Sequence, residues 1–126
     1  TWKWTKKNKV IMKLKIYHNP RCRKSREALE LLNKKKIDVK IIKYLENHLT
    51  FEELKEIIFL LKIPVIEIVR TNETLWKNNF KKSNLNENDL IKVLIENPKL
   101  IERPIIVGTN KAVIGRPIDK LISFLK

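Results

Sequence analysis

The 126-residue chain has one cysteine, Cys22, so it cannot close a disulfide within itself. It also lacks the second thiol of a Cys-x-x-Cys redox pair, because Ser25 stands at the third position after Cys22. Any adduct or oxidation at Cys22 therefore needs electrons from an outside thiol. No apolar run approaches the roughly 20 residues that cross a bilayer. The basic N-terminus is not followed by a secretory apolar segment either, since Val10-Ile11-Met12 stops at Lys13. The expectation is a reducing, cytoplasmic setting with no membrane partner. Only two histidines are present, His18 and His48, and with one cysteine they have neither the number nor the spacing of a metal site. Internal repeats, low-complexity stretches and linkers are missing, and the length suits one domain.

Acidic residues are absent from the first eleven positions, which carry Lys3, Lys6, Lys7 and Lys9. Residues 1–11 are expected to be a basic extension, non-native or disordered, ahead of a single domain over 12–126. The alternative is a basic arm in which Trp2 and Trp4 touch a membrane or a nucleic acid. Without this stretch, +10 of the formal +14 charge remains, spread as lysine over most of the expected surface. That diffuse pattern is the pattern of solvated faces and argues against nucleic acid as a partner.

Arginine is scarce in a way that carries information. There are 22 lysines and six arginines, and three of the six (Arg21, Arg23, Arg26) lie within four residues of Cys22. The others are Arg70, Arg103 and Arg116, the last two each followed by proline. Guanidinium presents a rigid fork of donors that grips a tetrahedral oxyanion as an ammonium cannot.

The pattern along the chain predicts a strand at 13–17, with Leu14 and Ile16 on one face, ended by Pro20. A helix follows from Cys22 to about Lys35 on a stripe of Ala28, Leu29, Leu31 and Leu32, and then a strand over 37–44. Strand, helix and strand of this length make a right-handed parallel crossover. Thr50-Phe51-Glu52-Glu53 is a capping box for a helix with Leu54, Ile57, Ile58 and Leu61 on one face. Pro64 breaks it, with a helical turn expected through Arg70. Residues 71–85 read as irregular. Asn86 is the expected cap of a helix to about Asn97 through Leu90, Val93 and Leu94. Strands at 105–107 and 112–114 form a hairpin, and Pro117 opens a last helix with Ile118, Leu121, Ile122 and Leu125 inside. The order is that of an α/β, thioredoxin-like three-layer fold with a mixed four-stranded sheet and a helical insertion between residues 50 and 97.

Cys22 lies where the first strand gives way to the first helix, and there free N–H groups and the positive end of the helix dipole favour an anion. Three arginines nearby in sequence push the same way. A thiol of pKa near 8.5 is roughly 3 % thiolate at pH 7, and one near 6 is roughly 90 %. The competing reading is a small buried hydrophobe, which flanking Arg21 and Arg23 argue against because burial would strand their charge. His18 either orients groups at the site or is a passive surface residue. Ser25 either donates to the thiolate or caps the helix. A phosphatase-type loop is excluded, because it needs arginine six positions after the cysteine and Ala28 stands there.

The segment His18-Asn19-Pro20-Arg21-Cys22-Arg23-Lys24-Ser25-Arg26 resembles the cysteine loop of the glutaredoxin-linked arsenate reductases. Glu102-Arg103-Pro104-Ile105-Ile106-Val107 and Gly115-Arg116-Pro117 resemble that family's two later arginine motifs. Tyr44-Leu45-Glu46-Asn47 and the position of Arg70 also fit, so the resemblance runs from Met12 to Lys126. It implies a thioredoxin-like fold in which Cys22 attacks the arsenic of arsenate and Arg70, Arg103 and Arg116 hold the oxyanion, with His18, Ser25 and Arg26 in support. It also implies glutathione as co-substrate, glutaredoxin as partner, no bound cofactor, and a *cis* bond at Arg103-Pro104. Arg23 and Lys24 are bulkier and more basic than the small residues of that loop. Two other roles stay open on the same fold: a redox-sensing regulator that binds RNA polymerase, and a glutathione-dependent thiol-transfer protein.

Overall fold

The computed structural model describes residues 13–126. The basic extension expected over residues 1–11, with Trp2 and Trp4, lies outside the described residues, as does Met12. Four strands and five α-helices follow in the order β1 (Leu14–Tyr17), α1 (Arg23–Lys34), β2 (Val39–Ile42), α2 (Phe51–Leu61), α3 (Thr74–Asn79), α4 (Glu87–Glu96), β3 (Ile105–Val107), β4 (Ala112–Ile114) and α5 (Ile118–Phe124). Short 3-10 turns cover Val65–Ile68 and Pro98–Leu100. No described helix is long and apolar enough to cross a membrane.

The strands lie side by side as β2-β1-β3-β4. β1 pairs with β2 in parallel through the α1 crossover, and β3 runs antiparallel to both β1 and β4. The mixed sheet and its place in a thioredoxin-like fold are as the sequence pattern predicts. The period of two along the central strands builds two separate cores. Leu14, Ile16 and Ile106 face Ala28 and Leu32 of α1 and Leu121 and Phe124 of α5. Tyr17 and Ile105 point the other way, into Leu54, Ile57, Ile91 and Leu94 of the helical insertion. Both faces of the sheet are thus covered, which gives the three layers.

Local signals decide most element ends. Thr50 and Glu53 form the expected capping box, with Thr50 Oγ1 accepting from the Glu53 N–H at 3.1 Å and Glu53 Oε1 accepting from the Thr50 N–H at 3.1 Å. Asn86 Oδ1 accepts from the Asp89 N–H at 2.8 Å and starts α4. The helix α2 ends at Lys62, which takes a left-handed conformation two residues before Pro64.

Three details differ from the pattern reading. Residues 71–85, expected to be irregular, contain α3. Trp76 there is 7 % exposed and stacks on Phe80 one turn later, ring centroids 5.7 Å apart, so aromatic burial overrides a polar local sequence. The second strand is shorter than 37–44, because as an edge strand it pairs only with the four residues of β1. In α5 the buried positions are Leu121 and Phe124, while Ile122 is 36 % exposed. A seven-residue helix buries one i, i+3 pair and has no second stripe.

Candidate active site

β1 delivers His18 to the end of the sheet, where its N–H donates to Ile42 O at 2.8 Å. The chain then turns tightly. The Arg21 N–H donates to Asn19 Oδ1 and the Cys22 N–H to Asn19 O, both at 3.0 Å. Arg26 Nη1 donates to Pro20 O at 2.9 Å and ties the loop to α1. Cys22 is left as the N-cap of α1, in extended conformation, with its carbonyl accepting from the Arg26 N–H at 3.0 Å.

Cys22 is 8 % exposed, so the sequence argument that flanking arginines would keep it at the surface fails. Arg21 and Arg23 leave the site outward as exposed side chains, and Arg23 Nε lies 3.5 Å from Glu27 Oε2. A helix N-terminus separates the directions of neighbouring side chains enough to bury one and solvate two. Burial pushes the Cys22 thiol up, but the N–H groups of Ser25 and Lys24 and the Arg103 side chain, through hydrogen bonding and charge, outweigh it. The net shift is downward from the ordinary 9.0. The helix-end donors act as anticipated, but the arginine that matters is Arg103 and not the three nearest in sequence.

Ser25 is fully buried. Its Oγ accepts from the Asn19 N–H at 3.1 Å and lies 2.6 Å from His18 Nδ1. The hydroxyl binds the cysteine loop to the histidine, and α1 has no side-chain cap. His18 is buried as well, 5 % exposed. Burial, and then the charges of Lys43 and Arg26, push its pKa below the ordinary 6.5, so the imidazole is neutral at physiological pH.

The three distant arginines converge through backbone contacts. Val69 bridges Ile101 antiparallel, the Arg70 N–H donates to Leu100 O at 2.7 Å, and the Glu102 N–H donates to Ile68 O at 2.7 Å. The Gly115 N–H donates to Pro104 O at 2.9 Å, which sets Arg116 beside the same segment. A Cβ at Gly115 would stand 2.9 Å from Ile106 Cδ1 and 3.3 Å from Pro104 Cγ, so a larger residue here would have to push the Ile106 side chain aside. The Arg103-Pro104 bond is *cis*, as the resemblance implies, and so is Arg116-Pro117, which the sequence reading did not foresee.

The three arginines differ in their partners. Arg103 serves the thiol, and its Nε is buried with no protein partner. Arg70 and Arg116 line an adjoining polar cavity of about 220 Å³ together with Glu73 and Glu102. Arg70 Nη2 lies 3.3 Å from Glu73 Oε2, and Glu102 Oε1 lies 3.9 Å from Arg70 Nε and 3.4 Å from Arg116 Nη1.

Tyr44 was assigned no role from the sequence, yet its hydroxyl is buried without a protein partner. Burial pushes its pKa up to about 12. Arg103 and Arg70 pull it down, and Cys22 and Glu102 push it up, so the phenol belongs to this charge cluster. The register carries its placement: Tyr17 pairs with Ile42, which puts residues 18 and 44 at the same end of the sheet.

A parallel strand–helix–strand unit with a cysteine at the first helix cap, followed by an antiparallel hairpin, defines a thioredoxin-like fold. The chain belongs to the ArsC family, whose sequence model matches residues 17–124. It is 40 % identical over 116 residues to the arsenate reductase of Haemophilus influenzae, covering 90 % of this chain and 100 % of that one. It is also 40 % identical over 118 residues to the uncharacterized protein YfgD of Escherichia coli K12, covering 92 % and 99 %. The solved arsenate reductase of Vibrio cholerae superposes with a TM-score of 0.86 at 41 % identity, covering 90 % of this chain and 98 % of that one.

Proposed function

We propose that the protein reduces arsenate to arsenite, with Cys22 as nucleophile and glutathione with glutaredoxin as the source of electrons. The observation that carries this reading is the thiol at the N-cap of α1, lowered in pKa by helix N–H groups and by Arg103. The Cys22 thiolate attacks arsenic and forms an S–As bond, while one arsenate oxygen leaves as water after taking up protons. Arg103 holds the charge of the adduct, and the unpartnered Arg103 Nε and Tyr44 hydroxyl are donors available to its oxygens. Glutathione then forms a second S–As bond as another arsenate oxygen leaves as water, and a glutaredoxin thiolate attacks the glutathione sulfur, breaking that S–As bond and forming a mixed disulfide. The two electrons released in that disulfide lower arsenic from the +5 to the +3 state, and water frees arsenite from Cys22.

Family membership and relatives bearing the name arsenate reductase support the substrate class. An outside reductant follows from the single thiol, since Ser25 stands where a resolving cysteine would and is committed to His18. The same residue weighs against a regulator built on a Cys-x-x-Cys switch. The test is arsenate-dependent NADPH oxidation coupled through glutathione, glutaredoxin and glutathione reductase, comparing wild type with Cys22→Ser. Activity confined to the wild type is expected. A wild type with a reactive Cys22 and no arsenate turnover would move the assignment to thiol transfer, read by deglutathionylation of a mixed disulfide.

A further inference from the structure

Among the described residues, Glu102 is the one acid that pairs with two arginines. Its Oε1 is approached by two guanidiniums, Arg116 Nη1 at 3.4 Å and Arg70 Nε at 3.9 Å. The carboxylate is 28 % exposed and the two arginines 36 % and 22 %, so water screens these pairs only in part. The backbone of Glu102 is pinned by its N–H bond to Ile68 O at 2.7 Å, and the next residue is Arg103. Two guanidiniums converging on one oxygen inside a polar cavity make an anion site, and here a side chain of the protein itself fills it.

We propose that Glu102 is the specificity-determining residue of the oxyanion site, an internal carboxylate that an incoming oxyanion must displace from Arg70 and Arg116. The proposal rests on the oxyanion-reductase reading of this cluster. A tethered carboxylate competes at high effective concentration, because it gives up no translational freedom when it binds. A tetrahedral monoanion that replaces it exchanges one charge for one and gains nothing electrostatically. A dianion brings a second charge, and its further oxygens can engage Arg103 while two face Arg70 and Arg116. Glu102 thereby raises the threshold for every anion and raises it most for singly charged ones. The carboxylate also keeps two like-charged guanidiniums together while no substrate is bound.

The test is protection of Cys22 from alkylation by iodoacetamide, without glutathione, titrated with arsenate and separately with perchlorate, a tetrahedral monoanion. Wild type, Glu102→Gln and Glu102→Asp are compared, each referred to its own rate without anion and checked for folding by circular dichroism. In Glu102→Gln, half-protection by arsenate is expected at a concentration about three- to tenfold lower than in wild type. Perchlorate is expected to leave wild type unprotected and to protect this variant. Glu102→Asp, whose carboxylate is drawn back by one methylene, should fall between. Protection of wild type by arsenate with equal or weaker protection of Glu102→Gln would overturn the proposal and leave the oxyanion reading standing. No protection of any variant by either anion would remove the oxyanion site and the proposal together.

Discussion

The six arginines fall into two groups that differ in what they touch. Arg21, Arg23 and Arg26 are neighbours of Cys22 in the chain, and their partners are solvent, Glu27 and Pro20 O. Arg103 is remote in the chain, and its side chain is the one that stabilises the thiolate. Arg70 and Arg116, also remote, meet each other through Glu102. Sequence proximity brings charge near a cysteine only when the side chain can turn back toward it. Here Arg21 and Arg23 leave into solvent and Arg26 reaches back to Pro20 O, so electrostatic control passes to what the tertiary fold sets opposite.

The largest test of that contrast is Arg103→Leu. Removing a charge-assisted contact to a buried thiolate should lower the alkylation rate of Cys22 at pH 7 and the reductase rate by about ten- to hundredfold. The alkylation pH profile should move upward toward the ordinary cysteine value of 9.0, since burial then acts with less opposition. An unshifted profile would assign the lowered pKa to the Ser25 and Lys24 N–H groups alone.

Ser25→Ala tests the near side through hydrogen bonding instead of charge. The variant leaves His18 Nδ1 and the Asn19 N–H without their common partner in a buried loop. The expected loss is about 1–3 kcal/mol of stability by denaturant unfolding. Cysteine at this position would test the missing resolving thiol, and Ser25→Cys should form a disulfide with Cys22 only if the loop gives up the His18 contact.

The pH dependence of stability separates the buried histidine from the exposed arginines. His18 has a folded pKa below 6.5, so the unfolded chain takes its proton first as pH falls. Its contribution is complete above pH 6.5 and is lost progressively below it, through the folded pKa. His18→Asn should flatten this part of the stability curve, measured by urea unfolding between pH 7.5 and 5. An unchanged slope would show that His18 protonates without resistance.

The layering was legible because it depends on periodicity: alternate positions in β1, the stripe in α1 and α2, and two capping motifs specify the elements before any tertiary contact. Cys22 was legible from its place between strand and helix. Its burial and the pairing of Ser25 with His18 were not, because both depend on which way a side chain leaves a turn. The sharing of Glu102 by Arg70 and Arg116 was hidden for a related reason. It arises only when the bridge between Val69 and Ile101 and the bond from Gly115 to Pro104 bring three distant segments together. The helix α3 was missed because the burial of Trp76 is a property of the assembled core.

The smallest expected effect is the sharpest for the comparison. Arg21→Ala and Arg23→Ala each remove a full positive charge adjacent to the nucleophile in sequence. If through-space charge near the backbone were enough, each would slow alkylation of Cys22 about as much as Arg103→Leu. The structure gives them little hold on the thiol. Both side chains are exposed, water screens them, and Arg23 is already paired with Glu27 along the helix face. Each variant should therefore change the alkylation rate at pH 7 by less than about twofold at 0.15 M salt. A residual effect should shrink further as salt is raised, whereas the Arg103→Leu loss should persist because the Cys22 thiol is buried. A tenfold loss in Arg23→Ala that survives high salt would mean that the local arginines reach the thiolate after all.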